Sequence, residues 1–167
     1  MAGNSAPAET SSGETSPEDR LAALGLSLPK VVAPLAAYVP AVLTGNYVYT
    51  AGQLPFVDGV LPATGKVGAG VGTAEASALA RICALNALAA VVSVTGSLSA
   101  VRRIVKVTGF VASAPDFTQQ AQVVNGASDL LIEVFGEAGR HARSAVGMAV
   151  LPLDTPVEVE LIAEVRS

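Results

Sequence analysis

No tryptophan occurs among the 167 residues, and cysteine and histidine occur once each, as Cys83 and His141. A single thiol excludes an internal disulfide framework, and its place in an apolar, helically spaced run reads as a packed side chain rather than a nucleophile. One histidine and one cysteine far apart in the chain form no ligand cluster, so neither a metal site nor a cofactor is expected. The lack of a histidine pair also weighs against ribonuclease chemistry.

Charge is scarce too, at 14% of residues, with a formal net charge of −4. Glu9, Glu14, Glu18 and Asp19 against Arg20 carry −3 of it, leaving the rest of the chain close to −1. A nearly neutral domain has no electrostatic footprint for polyphosphate, so no nucleic acid is expected as a partner. The one basic run, Arg102, Arg103 and Lys106, splits across both faces of a strand and reads as a solvated face.

Residues 1–20 are rich in Ser, Thr, Ala, Gly and Glu, without an apolar run, and are expected to form a disordered tail. They show no secretory pattern, which makes the cytoplasm the default compartment. Ala74–Val94 is apolar, but it looks short for a membrane span and is interrupted by Glu75, Arg81 and Asn86. It reads as a buried helix, and no membrane association is expected. Apolar residues make up 51% of the chain and aromatics only 4%, so the core must be built from Ala, Val and Leu. Residues 21–167 suit one domain, and so lean a surface suggests burial between subunits.

The pattern predicts a helical turn near Pro17–Leu24, an extended Leu28–Ala37, and a hairpin of Tyr38–Thr44 and Tyr47–Ala51 around Gly45-Asn46. A loop over Phe56–Gly72 precedes a long helix, Ala74–Val94, with Thr73 as its N-cap and Gly96 as its stop. Val101–Ser113 reads as a strand with Val101, Arg103, Val105, Val107 and Val111 on one face. Asp116 should cap a helix over Phe117–Phe135, stopping at Gly136. Two further strands complete β-β-α-β-α-β-β: an α+β fold with helices on one face of a mixed, mainly antiparallel sheet.

The last two strands hold the candidate site. Val157, Val159, Leu161, Ala163 and Val165 share one face, and Glu158, Glu160, Ile162 and Glu164 the other. Before them, Arg143 shares a face with Ala145, Gly147 and Ala149, small residues that leave room beside a cation. Read as a returning hairpin, the pair sets Arg143 near Glu158 or Glu160, either as a structural ion pair or as an anion hook beside a proton carrier.

Several segments in order resemble a known family: Tyr38-Val39-Pro40-Ala41-Val42, Gly45 to Pro55, Ile104 to Val111, Ala142-Arg143-Ser144, Leu151-Pro152 and Val157-Glu158-Val159. Across most of Pro34 to Val165 the chain is similar to the reactive-intermediate deaminase (YjgF/YER057c/UK114, endoribonuclease L-PSP) family. Asn125 to Leu131 and Gly139 to Arg143 resemble a longer, little-characterised branch of it. The resemblance implies a chorismate-mutase-like fold and a homotrimer with clefts between subunits. It implies hydrolysis of small 2-imino or enamino acids to 2-keto acids and ammonia.

By the same resemblance, Arg143 grips the substrate carboxylate and Glu158 positions water or relays a proton. Tyr38 walls the cleft from the adjoining subunit, the Gly52 and Ala145 backbones add polar contacts, and Asn125 takes a cleft position. Three residues depart from the family pattern: Ala51 for a serine, Ala145 for a cysteine and His141 for a proline. The lone His141 reads either as a surface residue or as a titrating group at the cleft mouth. The function classes open are imine hydrolase, non-catalytic carboxylate binder or sensor and, third, ribonuclease.

Overall fold

The computed structural model describes residues 15–31 and 37–166. Residues 1–14, most of the expected tail, and 32–36, part of the expected extended stretch, lie outside them. Helix α1 spans Pro17–Ala23, with proline in its first turn and Ser16 as its N-cap, the Ser16 Oγ accepting the Asp19 N–H at 3.1 Å. Residues 17–20 of the expected tail are therefore helical. The Glu18 carboxylate ties α1 down by accepting the Ser99 N–H at 2.9 Å and the Ser99 hydroxyl at 2.6 Å.

Strands β1 (Ala41–Thr44) and β2 (Tyr47–Thr50) form the expected hairpin, with Thr44 opposite Tyr47. Gly45 takes φ +54° at the first of the two turn positions, a conformation open to glycine at little cost. Beyond β2 the ladder with the last strand slips by one residue. Tyr49 registers with Ile162, whereas the next bridge joins Gln53 to Val159. At the slip the Thr50 Oγ1 accepts the Leu161 N–H at 3.0 Å, standing in for a backbone carbonyl.

Helix α2 (Thr73–Thr95) is capped by Gly72, not Thr73, whose hydroxyl instead donates to Gln119 Oε1 at 3.3 Å. At 23 residues it has the length and apolarity of a membrane span, contrary to the expectation that it falls short. Ala76, Leu79, Ala80, Cys83, Ala84, Ala87, Leu88 and Val91 of this helix all belong to the domain core. The alanines let the helix lie close to the sheet and to its neighbour α3 (Gln120–Phe135). α3 starts three residues later than expected. Asp116 does not cap it, because Pro115-Asp116 sit in a turn closed by the Phe117 N–H on Ala114 C=O, and Phe117 packs on the core.

Between the helices runs β3 (Val101–Ala112), and β4 (Ala142–Met148) and β5 (Val157–Val165) follow α3. The sheet order is β1-β2-β5-β3-β4, antiparallel except for β3 with β4. Two register shifts in the β3–β5 ladder, at Val101/Arg103 and Ile104/Lys106, break the expected alternation. Ile104 is thereby fully buried, while Arg103 points to solvent and Val105 is half-buried. The returning hairpin is also corrected. β4 runs parallel to β3 at the sheet edge, and β3 lies between it and β5.

α2 and α3 cover one sheet face, and they meet where Gly126 backs onto the Ser77 carbonyl, with no space for a Cβ between them. Gly126→Ala is therefore expected to push the helices apart and destabilise the protein by roughly 1–3 kcal/mol, read from urea unfolding.

Candidate active site

β4 is an edge strand, so its side chains reach past the sheet to whatever flanks it. Arg143 registers with Val107, which registers with Leu161, and both of those are buried beneath the helices. Partners across a ladder point to the same side, so Arg143 lies on the helix-covered face. There its Nη1 donates to Asn125 Oδ1 at 2.8 Å and to Ser128 Oγ at 3.1 Å. Asn125 and Ser128 sit three residues apart on α3, on one helix face, which is why a single nitrogen reaches both. Ala145, two residues on, shares that side and packs on the core. Its ladder partner Gly109 leaves room for Val124, whose methyls occupy the place of a Cβ.

Glu158 belongs to the other face. It alternates with buried Val157 and Val159 and registers with Phe110. Its carboxylate occupies the space a Cβ at Gly52 would take, two residues beyond the register slip at Thr50. Burial, and then the neighbouring Glu160, raise its pKa above the ordinary 4.5. Among the described residues no cation pairs with it. Nearby, Tyr49, Lys106, Thr108 and Glu160 line a shallow hollow, where Lys106 Nζ donates to Ser144 Oγ at 3.0 Å.

The expected residues thus form two patches. Arg143, Asn125 and Ala145 gather at the α3–β4 edge, whereas Glu158 and Gly52 lie on the open face. Tyr38, 57% exposed just before β1, belongs to neither. The ion pair of Arg143 with Glu158 or Glu160, one of the two readings from sequence, is not formed, because a strand and a sheet face separate them. His141 is not a free surface group. It is half-buried, with Nε2 3.0 Å from Ser128 Oγ and Nδ1 2.6 Å from Gly139 O. Burial, with the Arg143 charge acting the same way, lowers its pKa from 6.5 despite the bond to Gly139. Ser128 went unseen in the sequence. Its signal was a hydroxyl at a core-facing position of α3, beside Val124, Ala127 and Leu131.

Residues 18–165 match the model of the family described as YjgF/chorismate mutase-like. The chain belongs to that family. Protein TCP17 of Trypanosoma cruzi is 45% identical over 86% of this chain and 91% of its own length. A crystal structure of the Agrobacterium tumefaciens protein Atu1372, of unknown function, superposes with a TM-score of 0.83. It is 48% identical and covers 90% of this chain and 93% of its own. The Escherichia coli 2-iminobutanoate/2-iminopropanoate deaminase is 36% identical over 78% of this chain and 89% of its length. Membership agrees with the α+β, chorismate-mutase-like sheet and its helix layer.

The raised Glu158 pKa has a consequence for stability. A folded pKa above the unfolded value means that the ionised carboxylate destabilises the fold above that pKa, an effect that fades as pH falls towards 4.5. Glu158→Gln is therefore expected to raise Tm by a few degrees at neutral pH and to leave it unchanged at about pH 4, as measured by calorimetry.

Proposed function

We propose that this protein hydrolyses small 2-imino and enamino acids to 2-keto acids and ammonia, with Arg143 holding the substrate carboxylate. The observation that carries this reading is the Arg143 guanidinium. It is fixed by two neutral partners rather than by a carboxylate, so its charge stays available to an anion. A charge-assisted bond of this kind contributes about 1.5–3 kcal/mol, enough to orient a small acid. The relative named as a 2-iminobutanoate/2-iminopropanoate deaminase supports the same substrate class.

The rest of the chemistry is undemanding, because iminium carbons accept water readily once substrate and water are aligned. Glu158, with a pKa raised towards the working range, takes a proton from the attacking water. It returns that proton to the nitrogen, and as the C–N bond breaks to release ammonia it takes up the hydroxyl proton, leaving the 2-keto acid. Gly52 and Ala145 offer backbone polar groups, Asn125 steadies the arginine, and Tyr38 closes the cleft. Since Arg143 and Glu158 occupy opposite faces of one sheet, they act together only across a subunit boundary. The proposed assembly is a homotrimer whose open sheet faces, with exposed Val42, Tyr47, Tyr49 and Val146, meet one another. Its expected setting is the cytoplasm.

2-Iminobutanoate generated by an amino-acid oxidase, in the presence of a trapping amine, is expected to disappear faster with substoichiometric protein. Arg143→Ala should reduce the acceleration about 10- to 100-fold. Binding of 2-oxobutanoate without any acceleration would instead support the carboxylate-binder reading, which the missing hydroxyl at Ala51 favours. The composite site has its own check. Co-refolded Arg143→Ala and Glu158→Gln chains, each strongly impaired alone, should recover to about a quarter of wild-type activity, since one interface in four then receives both intact residues. No recovery would place the two residues in separate sites.

A further inference from the structure

We propose that His141 is a positioning residue for Arg143, acting through Ser128 to fix which edge of the guanidinium meets an incoming carboxylate. The hydrogen-bond directions follow from chemistry. Gly139 O only accepts, so the His141 nitrogen 2.6 Å away, Nδ1, carries the ring proton. In the neutral ring Nε2 is then an acceptor, and the group facing it at 3.0 Å is the Ser128 hydroxyl, which donates. With its one proton committed to the imidazole, Ser128 Oγ presents lone pairs to Arg143 Nη1 at 3.1 Å. Asn125 Oδ1 takes the second Nη1 hydrogen at 2.8 Å.

Nη1 has two hydrogens, and both are used. What remains is the edge formed by Nε–H and one Nη2–H, two parallel donors that match the two oxygens of a carboxylate. Among the described residues neither nitrogen has a partner. Ser128 is the movable part of this arrangement, because a serine hydroxyl rotates freely. Turned towards the guanidinium, its proton would oppose the Nη1 hydrogen and release the arginine. The His141 lone pair keeps it turned away. Ser128 is 9% exposed, so water has little access to take over that role.

The charged groups around the ring leave it neutral. Arg143, two residues further along the chain, opposes protonation, and burial does so more strongly. On α3, Asp129 and Glu133 point outward, Glu133 to pair with Arg81. In the turn 136–139, Glu137 pairs with Arg140. On β3, Arg103 donates to Arg140 O, and Lys106 donates to Ser144, on the other face. Among the described residues no carboxylate lies within 4.0 Å of the imidazole. The network stands on these contacts alone, while its effect on ligand rests on the reading of Arg143 as a carboxylate holder.

The chain has one histidine, so the imidazole of ¹⁵N-labelled full-length protein gives a single, unambiguous NMR signal set. The expected result is a neutral, Nδ1-protonated ring at neutral pH with a titration midpoint below 6.5. Arg143→Ala, and separately saturation of the wild type with 2-oxobutanoate, should each raise that midpoint by removing or neutralising the guanidinium charge. By calorimetry, His141→Phe and Ser128→Ala should weaken 2-oxobutanoate about tenfold while leaving its carboxamide unaffected. His141→Gln, whose amide oxygen replaces the Nε2 acceptor, should bind close to wild type. An Nε2-protonated ring, or a midpoint unmoved by Arg143→Ala, overturns the network. Equal binding of 2-oxobutanoate by wild type and His141→Phe overturns its role. A wild type that binds no 2-oxobutanoate overturns the carboxylate reading of Arg143 instead, and the tautomer with the Arg143→Ala shift still decides the network.

Discussion

The side-to-side alternation of a β-strand governs where chemistry can occur in this molecule. β3 lies between β4 and β5, and ladder partners share a face, so the parity of Arg143 commits it to the helix layer and that of Glu158 to the open face. A one-residue slip in either strand would exchange those commitments. The parallel pairing of β4 with β3 is what brings the arginine beside α3, since the chain must cross over through that helix to re-enter the sheet in the same direction. The separation of cation and carboxylate therefore follows from topology, and the topology in turn calls for a second subunit if the two are to share a substrate.

Much of this was legible in the sequence because the signals are periodic. The hairpin at Gly45-Asn46, the long apolar helix, the β-β-α-β-α-β-β order and the alternating last strand were readable from spacing alone. Where the reading failed, a local contact overrode the pattern. Two irregularities in the β3–β5 ladder turned Ile104 inward, and packing of Phe117 on the core delayed the start of α3. Strand adjacency was the larger miss. Two strands close in sequence look like a hairpin unless the longer-range pairing of β5 with β3 is known, and spacing carries no trace of it. Asn125 and Arg143 stand out in the sequence, whereas Ser128, a serine within an apolar stripe, reads as a tolerated small residue.

Small side chains do much of the structural work that aromatics perform in other cores. Alanines on α2, glycine where α2 meets α3, and Gly109 beneath Val124 bring backbones close together, so the few polar groups present have short, defined reach. In such a setting one hydroxyl at 9% exposure has few possible partners, and its geometry is correspondingly restricted. Sparse charge has the same effect. Among the described residues no carboxylate pairs with Arg143, so it is oriented by neutral groups and its charge is not cancelled.

Thr50 gives the register slip before Gly52 an unusual origin. A side-chain oxygen takes the Leu161 N–H that a backbone carbonyl would hold in an unbroken ladder, so the change of register is encoded by a single methyl-bearing alcohol. Valine has nearly the same shape and no acceptor, so it would leave that N–H orphaned inside the core and favour a straight continuation of β2. Gly52 would then turn with the strand, and the space now filled by Glu158 would close. The position of the acidic group on the open face is thus set from the far side of the sheet by an atom that does not touch the carboxylate.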